Sequence, residues 1–396
     1  MNRADRWLLP DGIEEMLPAE ARRIEDLRRR LVNQFEAWGY DYVLPPMVEF
    51  TDSLLTGTGQ DISLLTFKLT DQLSGKTMGI RADITPQVAR MDAHSLAREG
   101  INRLCYAGHV MHTRPKAPLA SRTPVQVGVE LFGEPGLDGD IEVVSLLLST
   151  LQTVGLSKQY LDLGHVGIYR ALLDLCDFSA EQEASYLELL QAKALVELKA
   201  WLAKQKLESD VQEWLEALPR LSGSASILAK ARVCFESAPD ELHAAIDELE
   251  ALAEVLSERY PNAQLYFDLG ELRGHNYLTG IVFGAYAQGA GSAIASGGRY
   301  DDIGQAFGRT RPATGFTVDL TSISRLNVDS DREIGQAIFA PSSEKTEQWK
   351  KIEDLRSKGE RVVCGLSGEA QPRDYQKCNR ILIETSSGFE IQEIGS

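Results

Sequence analysis

Over residues 19–38, the apolar positions Ile24, Leu27, Leu31, Val32, Phe35 and Trp38 fall on one helical stripe, and Gly39 supplies a C-terminal stop. Residues 40–44 read as a strand running into Pro45-Pro46, which cannot continue a central ladder. Residues 64–70 and 77–81 flank Ser74-Gly75-Lys76 as the arms of a hairpin. Thr85-Pro86 predicts a helix start, with the threonine hydroxyl as N-cap and proline at the first helical position. Strands follow at 103–111 and 124–132, then a helix at 141–154.

From 167 to 261 the pattern is almost wholly helical and rich in Ala, Leu, Glu and Lys. Strands resume at 264–269, 278–286 and 292–296, with Gly289-Ala290-Gly291 at a turn. This order predicts an α+β fold, an antiparallel sheet flanked by helices, whose core comes in two parts, 1–166 and 262–326, around a helical insertion at 167–261. Polar residues at 327–332 predict a linker. Beyond it, 337–340, 345–357, 361–366 and 380–384 read as strand, helix, strand, strand, so 327–396 is expected to form a small C-terminal α/β domain.

Composition narrows the classes of function. At 43% hydrophobic and 25% charged, the 396 residues suit a multidomain globular protein. No apolar run approaches the ~20 residues of a membrane span. The N-terminus, with Arg3, Asp5 and Arg6, lacks the apolar stretch of a secretory signal. Cys105, Cys176, Cys234, Cys364 and Cys378 are scattered and form no Cys-x-x-Cys, which points to reduced thiols in a cytoplasm. The formal net charge of −17 opposes a polyanionic partner, since phosphate binding rests on clustered Lys and Arg. The sequence holds no Walker A loop, no Gly-x-Ser-x-Gly and no His-Glu-x-x-His, and its six histidines show no metal-ligand spacing. Neither a metal nor a cofactor is expected.

Candidate chemistry concentrates in three segments. In 124–131, strand alternation puts Val125, Val127, Val129 and Leu131 on one side and Gln126, Gly128 and Glu130 on the other. The second face is either solvated or a ligand surface: Gly128 leaves room, and the groups beside it suit an amine or an imidazole N–H. In Arg81-Ala82-Asp83-Ile84-Thr85, Asp83 suits an ammonium group, while capping is the better reading for Thr85. Arg273, His275 and Tyr277 crowd a turn between strands, and an arginine so placed suits a carboxylate.

In order along the chain, these segments, with Leu54-Leu55-Thr56-Gly57, Tyr106-Ala107-Gly108, Gly297-Gly298-Arg299-Tyr300-Asp301 and Gly315-Phe316, resemble class II aminoacyl-tRNA synthetases of the histidyl branch over residues 8–325. The resemblance implies a histidine pocket made by Asp83, Thr85, Gln126, Gly128, Glu130, Arg273 and Tyr277, with His112, Arg114 and His275 as further lining candidates. It also implies lost chemistry. The arginine that grips the nucleotide α-phosphate falls at His112, with Arg114 a displaced substitute, and the third-motif arginine falls at Ser322. A serine cannot replace a permanently charged fork. The C-terminal piece is too short for the usual anticodon-binding domain.

The combination is similar to the histidyl-tRNA-synthetase-like regulatory subunits of ATP phosphoribosyltransferase. That resemblance implies a non-catalytic chain that binds histidine for feedback inhibition and otherwise activates a short catalytic subunit in the first step of histidine biosynthesis. It implies self-dimerisation through the class II core, a hetero-octamer with the catalytic chain, and neither tRNA nor membrane as partner. The alternatives are a divergent class II ligase that still adenylates an amino acid, and a scaffold with a vestigial pocket.

Overall fold

The computed structural model describes residues 7–57, 59–117, 120–272, 277–326, 336–366 and 368–394. The chain divides into two compact units, Met1–Val328 and Asp329–Ser396. In the first, the described strands of the main sheet run edge to edge as Asp41–Tyr42, Asn102–His109, Val125–Phe132, Ala313–Asp319, Ala295–Arg299, Ile281–Tyr286, Gln159–His165, Ala263–Asp268 and Ser222–Gly223. Neighbours are antiparallel except at two places. Asp41–Tyr42 lies parallel to Asn102–His109, and Gln159–His165 parallel to Ala263–Asp268. The sheet is therefore mixed rather than wholly antiparallel. A parallel pair needs a long crossover, and the helices between Val166 and Arg259 supply one of the two.

The expected helical stripe is real. Helix Pro18–Ala37 buries Ile24, Leu27, Leu31 and Phe35, and Gly39 takes a φ of 87° just beyond its end. That helix and Leu137–Thr153 cover one face of the sheet, in a single apolar cluster with Val125, Val127, Val129 and Leu131. Phe35 meets Phe316 edge to face at 5.9 Å. Helix Leu137–Thr153 starts four residues before the expected 141. Asp138 and Asp140 occupy its first turn, where acidic side chains suit the helix dipole but interrupt the apolar pattern.

Three strands differ from expectation for a common reason. Gln159–His165 and Ala313–Asp319 carry no strand signal in the periodicity, and 292–296 is displaced to Ala295–Arg299. Each holds glycine at a paired position (Gly164, Gly315, Gly297, Gly298), which interrupts the apolar alternation, although Thr314, Phe316, Thr317 and Val318 of Ala313–Asp319 are themselves good strand formers. The helical region is joined to this sheet rather than set apart, since Leu190, Leu215, Ile246 and Leu249 belong to the same cluster as Val127 and Val129. His165 Nε2 also meets Glu248 Oε2 at 3.0 Å. The hairpin of Phe67–Thr70 and Thr77–Ile80 is present, with Val48–Phe50 added on its far side.

The second unit has a four-stranded sheet in the order Val362–Cys364, Ala337–Ala340, Cys378–Thr385, Gly388–Glu393. Helix Thr346–Ser357 packs on one face through Ile352 and Leu355 against Ile338, Ala340, Val362 and Leu382. The final strand, Gly388–Glu393, is absent from the expected pattern and closes a hairpin with Cys378–Thr385. The linker expected at 327–332 lies outside the described residues.

Candidate functional site

Strand register builds the site face. Glu130 lies opposite Leu104 and Gly315, Gly128 opposite Tyr106 and Thr317, and Gln126 opposite Gly108 and Asp319. Directly paired residues share a face, so these side chains converge opposite the Val125–Leu131 stripe. The expected alternation along 125–131 is borne out. The expected empty space above Gly128 is not. A Cβ there would lie 2.5 Å from the Tyr106 hydroxyl and 2.4 Å from the Phe316 carbonyl oxygen. Tyr106 already fills the room that glycine leaves.

Glu130 is 1% exposed and sits at the centre of a hydroxyl network. Its Oε1 accepts from Thr85 Oγ1 at 2.7 Å and from the Tyr106 hydroxyl at 3.2 Å. Its Oε2 accepts from the Tyr300 hydroxyl. Tyr106 and Thr317 share a further bond at 2.6 Å. Gly315 makes this possible, because a Cβ there would fall 1.8 Å from Glu130 Oε2. Burial pushes the Glu130 carboxyl up to about 8; the Tyr300 and Thr85 hydroxyls oppose that rise, and the Asp83 charge adds to it.

The folded chain holds this proton to about pH 8, whereas an unfolded glutamate releases it near 4.5, so stability falls as pH rises through that window. Between pH 6.5 and 8 the expected loss is about 2 kcal/mol, at ~1.4 kcal/mol per unit. Urea denaturation across that range should show the decline in the native chain and a shallower one in Glu130→Gln.

Thr85 does not cap its helix. Helix Thr85–Arg90 has no side-chain cap bond from its N-cap residue, Ile84. Instead Asp83 Oδ1 accepts from the Ile84 and Thr85 amides at 2.7 and 3.4 Å, which frees the Thr85 hydroxyl for Glu130. Gln126 is buried, and its Oε1 has no hydrogen-bond partner, an acceptor left facing the site. Tyr277 is half-buried against the Ile84–Tyr106 cluster, and burial raises its phenol, with the Asp83 and Glu130 charges adding to the rise. Arg273 and His275 lie outside the described residues.

Of the expected nucleotide-gripping positions, His112 and Ser322 carry no cation near pH 7, and Arg114 stands at the surface. His112 is 2% exposed, and its Nε2 bonds the Ala82 carbonyl at 3.0 Å. Its Nδ1 has no partner. Burial, with Lys116 nearby, pulls its pKa down to about 4, so the ring is neutral near pH 7. Arg114 is exposed. Ser322 Oγ donates to Asp319 Oδ2 at 2.7 Å, part of the cap that opens helix Leu320–Arg325. Asp319 and Ser322 are thus spent on a helix start.

Tyr106, Tyr300 and Thr317 complete the network. Tyr106 and Tyr300 stand in the motif segments Tyr106-Ala107-Gly108 and Gly297-Gly298-Arg299-Tyr300-Asp301, but nothing in the local pattern marks Thr317. Its role follows from lying opposite Gly128.

A mixed sheet with this helix layer on one face and a buried carboxyl network on the other matches the class II synthetase fold of the histidyl type. The histidyl-tRNA synthetase family model matches residues 12–323, and the model for the ATP phosphoribosyltransferase subunit HisZ C-terminal domain matches 335–392. ATP phosphoribosyltransferase regulatory subunits from Teredinibacter turnerae and Saccharophagus degradans are 62% and 61% identical over the full length of both chains. A crystal structure described as an ATP phosphoribosyltransferase regulatory subunit/histidyl-tRNA synthetase from Bacillus halodurans superposes with a TM-score of 0.79 at 28% identity, covering 92% of this chain and 94% of its own. The chain belongs to the family of ATP phosphoribosyltransferase regulatory subunits. Its role is that of a non-catalytic subunit, with catalysis on a partner chain. Among the described residues, no helix is long and apolar enough to cross a membrane.

Proposed function

We propose that this subunit binds one histidine molecule against the face made by Asp83, Thr85, Gln126, Gly128, Glu130 and Tyr277, with Arg273 taking the ligand carboxylate. Occupancy then biases the complex towards low activity, and the empty subunit holds the short catalytic partner active. The observation that carries this reading is Glu130. It is a fully buried carboxyl group served only by hydroxyls among the described residues, with no cation beside it. Such a group is completed by a ligand that brings a positive charge or N–H donors, and histidine brings both. The unpartnered Gln126 Oε1 is a second acceptor for the same ligand. Tyr106 over Gly128 becomes a wall of the pocket rather than its occupant.

A ligand shifts the active state only by its differential affinity, typically ~1–3 kcal/mol of coupling. By reciprocity, binding of the catalytic partner's substrate weakens histidine binding by the same factor. The test is calorimetric titration of histidine into the native chain and Glu130→Ala, beside inhibition curves of a short ATP phosphoribosyltransferase with and without this chain. Equal affinity in the two chains, or inhibition that ignores this chain, overturns the reading.

The assembly belongs to the same proposal: a hetero-octamer in the cytoplasm that takes no tRNA, built on self-dimers of the core. The net charge of −17 supports the exclusion of tRNA. Exposed Leu44, Met47, Val48 and Phe50, clustered in sequence beside the short edge strand Asp41–Tyr42, support the self-contact. Sedimentation of the subunit alone should give a dimer, and with its partner an octamer.

A further inference from the structure

Arg299 and Tyr300 are neighbours in the chain that reach opposite faces of the sheet. Gly298 lies opposite Gly315, and Gly315 opposite Glu130, so Gly298 is on the site face. Alternation sends the Arg299 side chain to the helix side and brings Tyr300 back to the site side. Each then ends in a specific contact. Tyr300 donates to Glu130 Oε2. Arg299 Nε and Nη2 donate to Asp140 Oδ2 at 2.9 and 2.6 Å, in the first turn of helix Leu137–Thr153.

The remaining donors of Arg299 hold the approach to that helix. Nη1 bonds the Glu134 carbonyl at 3.0 Å, and Nη2 the Gly136 carbonyl at 2.9 Å. Arg299 and Asp140 are 6% and 1% exposed. A buried pair of this kind gains little net stability over apolar packing but penalises any displacement of one partner, so its value lies in geometry. The backbone between the two side chains is also pinned. The Tyr300 amide donates to the Ala313 carbonyl at 2.8 Å, and the Ala313 amide to Asp301 Oδ1 at 3.0 Å. Helix Leu137–Thr153 in turn grips the outer layer: Ser149 accepts from Gln34 of helix Pro18–Ala37, and Glu142 accepts from Arg103 and Tyr40.

We propose that Tyr300 is the positioning residue for Glu130 and that, with Arg299, it forms a two-residue link carrying the state of the site carboxyl across the sheet to the start of helix Leu137–Thr153. The link rests on the histidine reading only for the identity of the ligand. The other groups facing Glu130 are Asp83, Thr85, Tyr106 and Tyr277, on the site side of the sheet, while Tyr40, which feels the Glu130 charge, donates to Glu142 on the helix side. Tyr300 is the strongest of the hydroxyls that favour the ionised carboxylate, so its loss moves the titration of Glu130 as well as its position.

Hydrogen exchange on the full chain tests the link. Tyr300→Phe removes one hydroxyl on the site face. It is expected to accelerate exchange at residues 137–143 about tenfold while leaving helix Asp240–Arg259 unchanged. Asp140→Asn should do the same, and the double variant no more than either alone, because both cut one link. The pH at which stability declines should also move upward in Tyr300→Phe. Exchange at 137–143 that matches the native chain, or that accelerates equally in both helices, overturns the proposal. Added histidine should slow exchange at 137–143 in the native chain but not in Asp140→Asn. Exchange that histidine alters nowhere would refute the histidine reading, while the ligand-free variants still decide the link.

Discussion

Glu130→Gln is expected to fold at least as stably as the native chain at pH 7 and to bind histidine about 100-fold more weakly. Both halves follow from the buried carboxyl. In the empty site, burial holds the group protonated to about pH 8, and a glutamine amide is a close copy of that neutral form. The variant also avoids the cost of protonating a glutamate that ionises near 4.5 when unfolded. A cationic ligand changes the balance, because its charge draws the proton off and pairs with the carboxylate. Glutamine cannot follow. Losing a charge-assisted bond in a buried site costs ~1.5–3 kcal/mol, hence the factor of about 100. Calorimetry in two buffers of different ionisation enthalpy should also show protons released on histidine binding by the native chain, and none by the variant. Native-like affinity in Glu130→Gln would remove the carboxylate from the recognition.

Gly128→Ala is expected to cost about 3 kcal/mol of stability and to abolish the network, at the upper end of what overpacking a core costs. The added methyl meets the Phe316 carbonyl at 2.4 Å and the Tyr106 ring at 2.6 Å. The first is backbone of a paired strand and cannot swing away. The second can move only by leaving Thr317, Thr85 and Glu130. Gly291→Ala, with nothing within 4 Å of the added atom, should be neutral and serves as the control. Thermal melts of the three chains check this, and equal midpoints for Gly128→Ala and the native chain would show that the strands can separate locally.

The legible part of the site was its residue chemistry. A strand with Gln126, Gly128 and Glu130 on one face announces a polar surface beneath an apolar one, and Asp83 beside Thr85 announces hydrogen-bonding groups at a helix start. How those groups are used was less legible. Capping is a local bond and was the natural expectation for Thr85, but the competing Asp83 carboxylate takes that role. Gly128 looked like room for a ligand because the residue covering it stands 22 positions earlier, on the paired strand. His112 likewise differs from an arginine on sight, but its neutrality comes from burial, which outweighs the opposing bond to the Ala82 carbonyl.

The sequence by itself determined the amphipathic first helix, the two-faced strand at 125–131, the helical stretch and separate C-terminal unit, and the kinship with histidyl-type synthetases. All of these rest on periodicity or on motifs read within a few residues. Only the tertiary structure decided that the sheet is mixed, that the segments Ala295–Arg299 and Ala313–Asp319 are interior strands, and that Tyr106, Tyr300 and Thr85 converge on Glu130. These features depend on the register of strands brought together from distant parts of the chain. Register is chosen by burying every face of the sheet at once, so no window of sequence contains it.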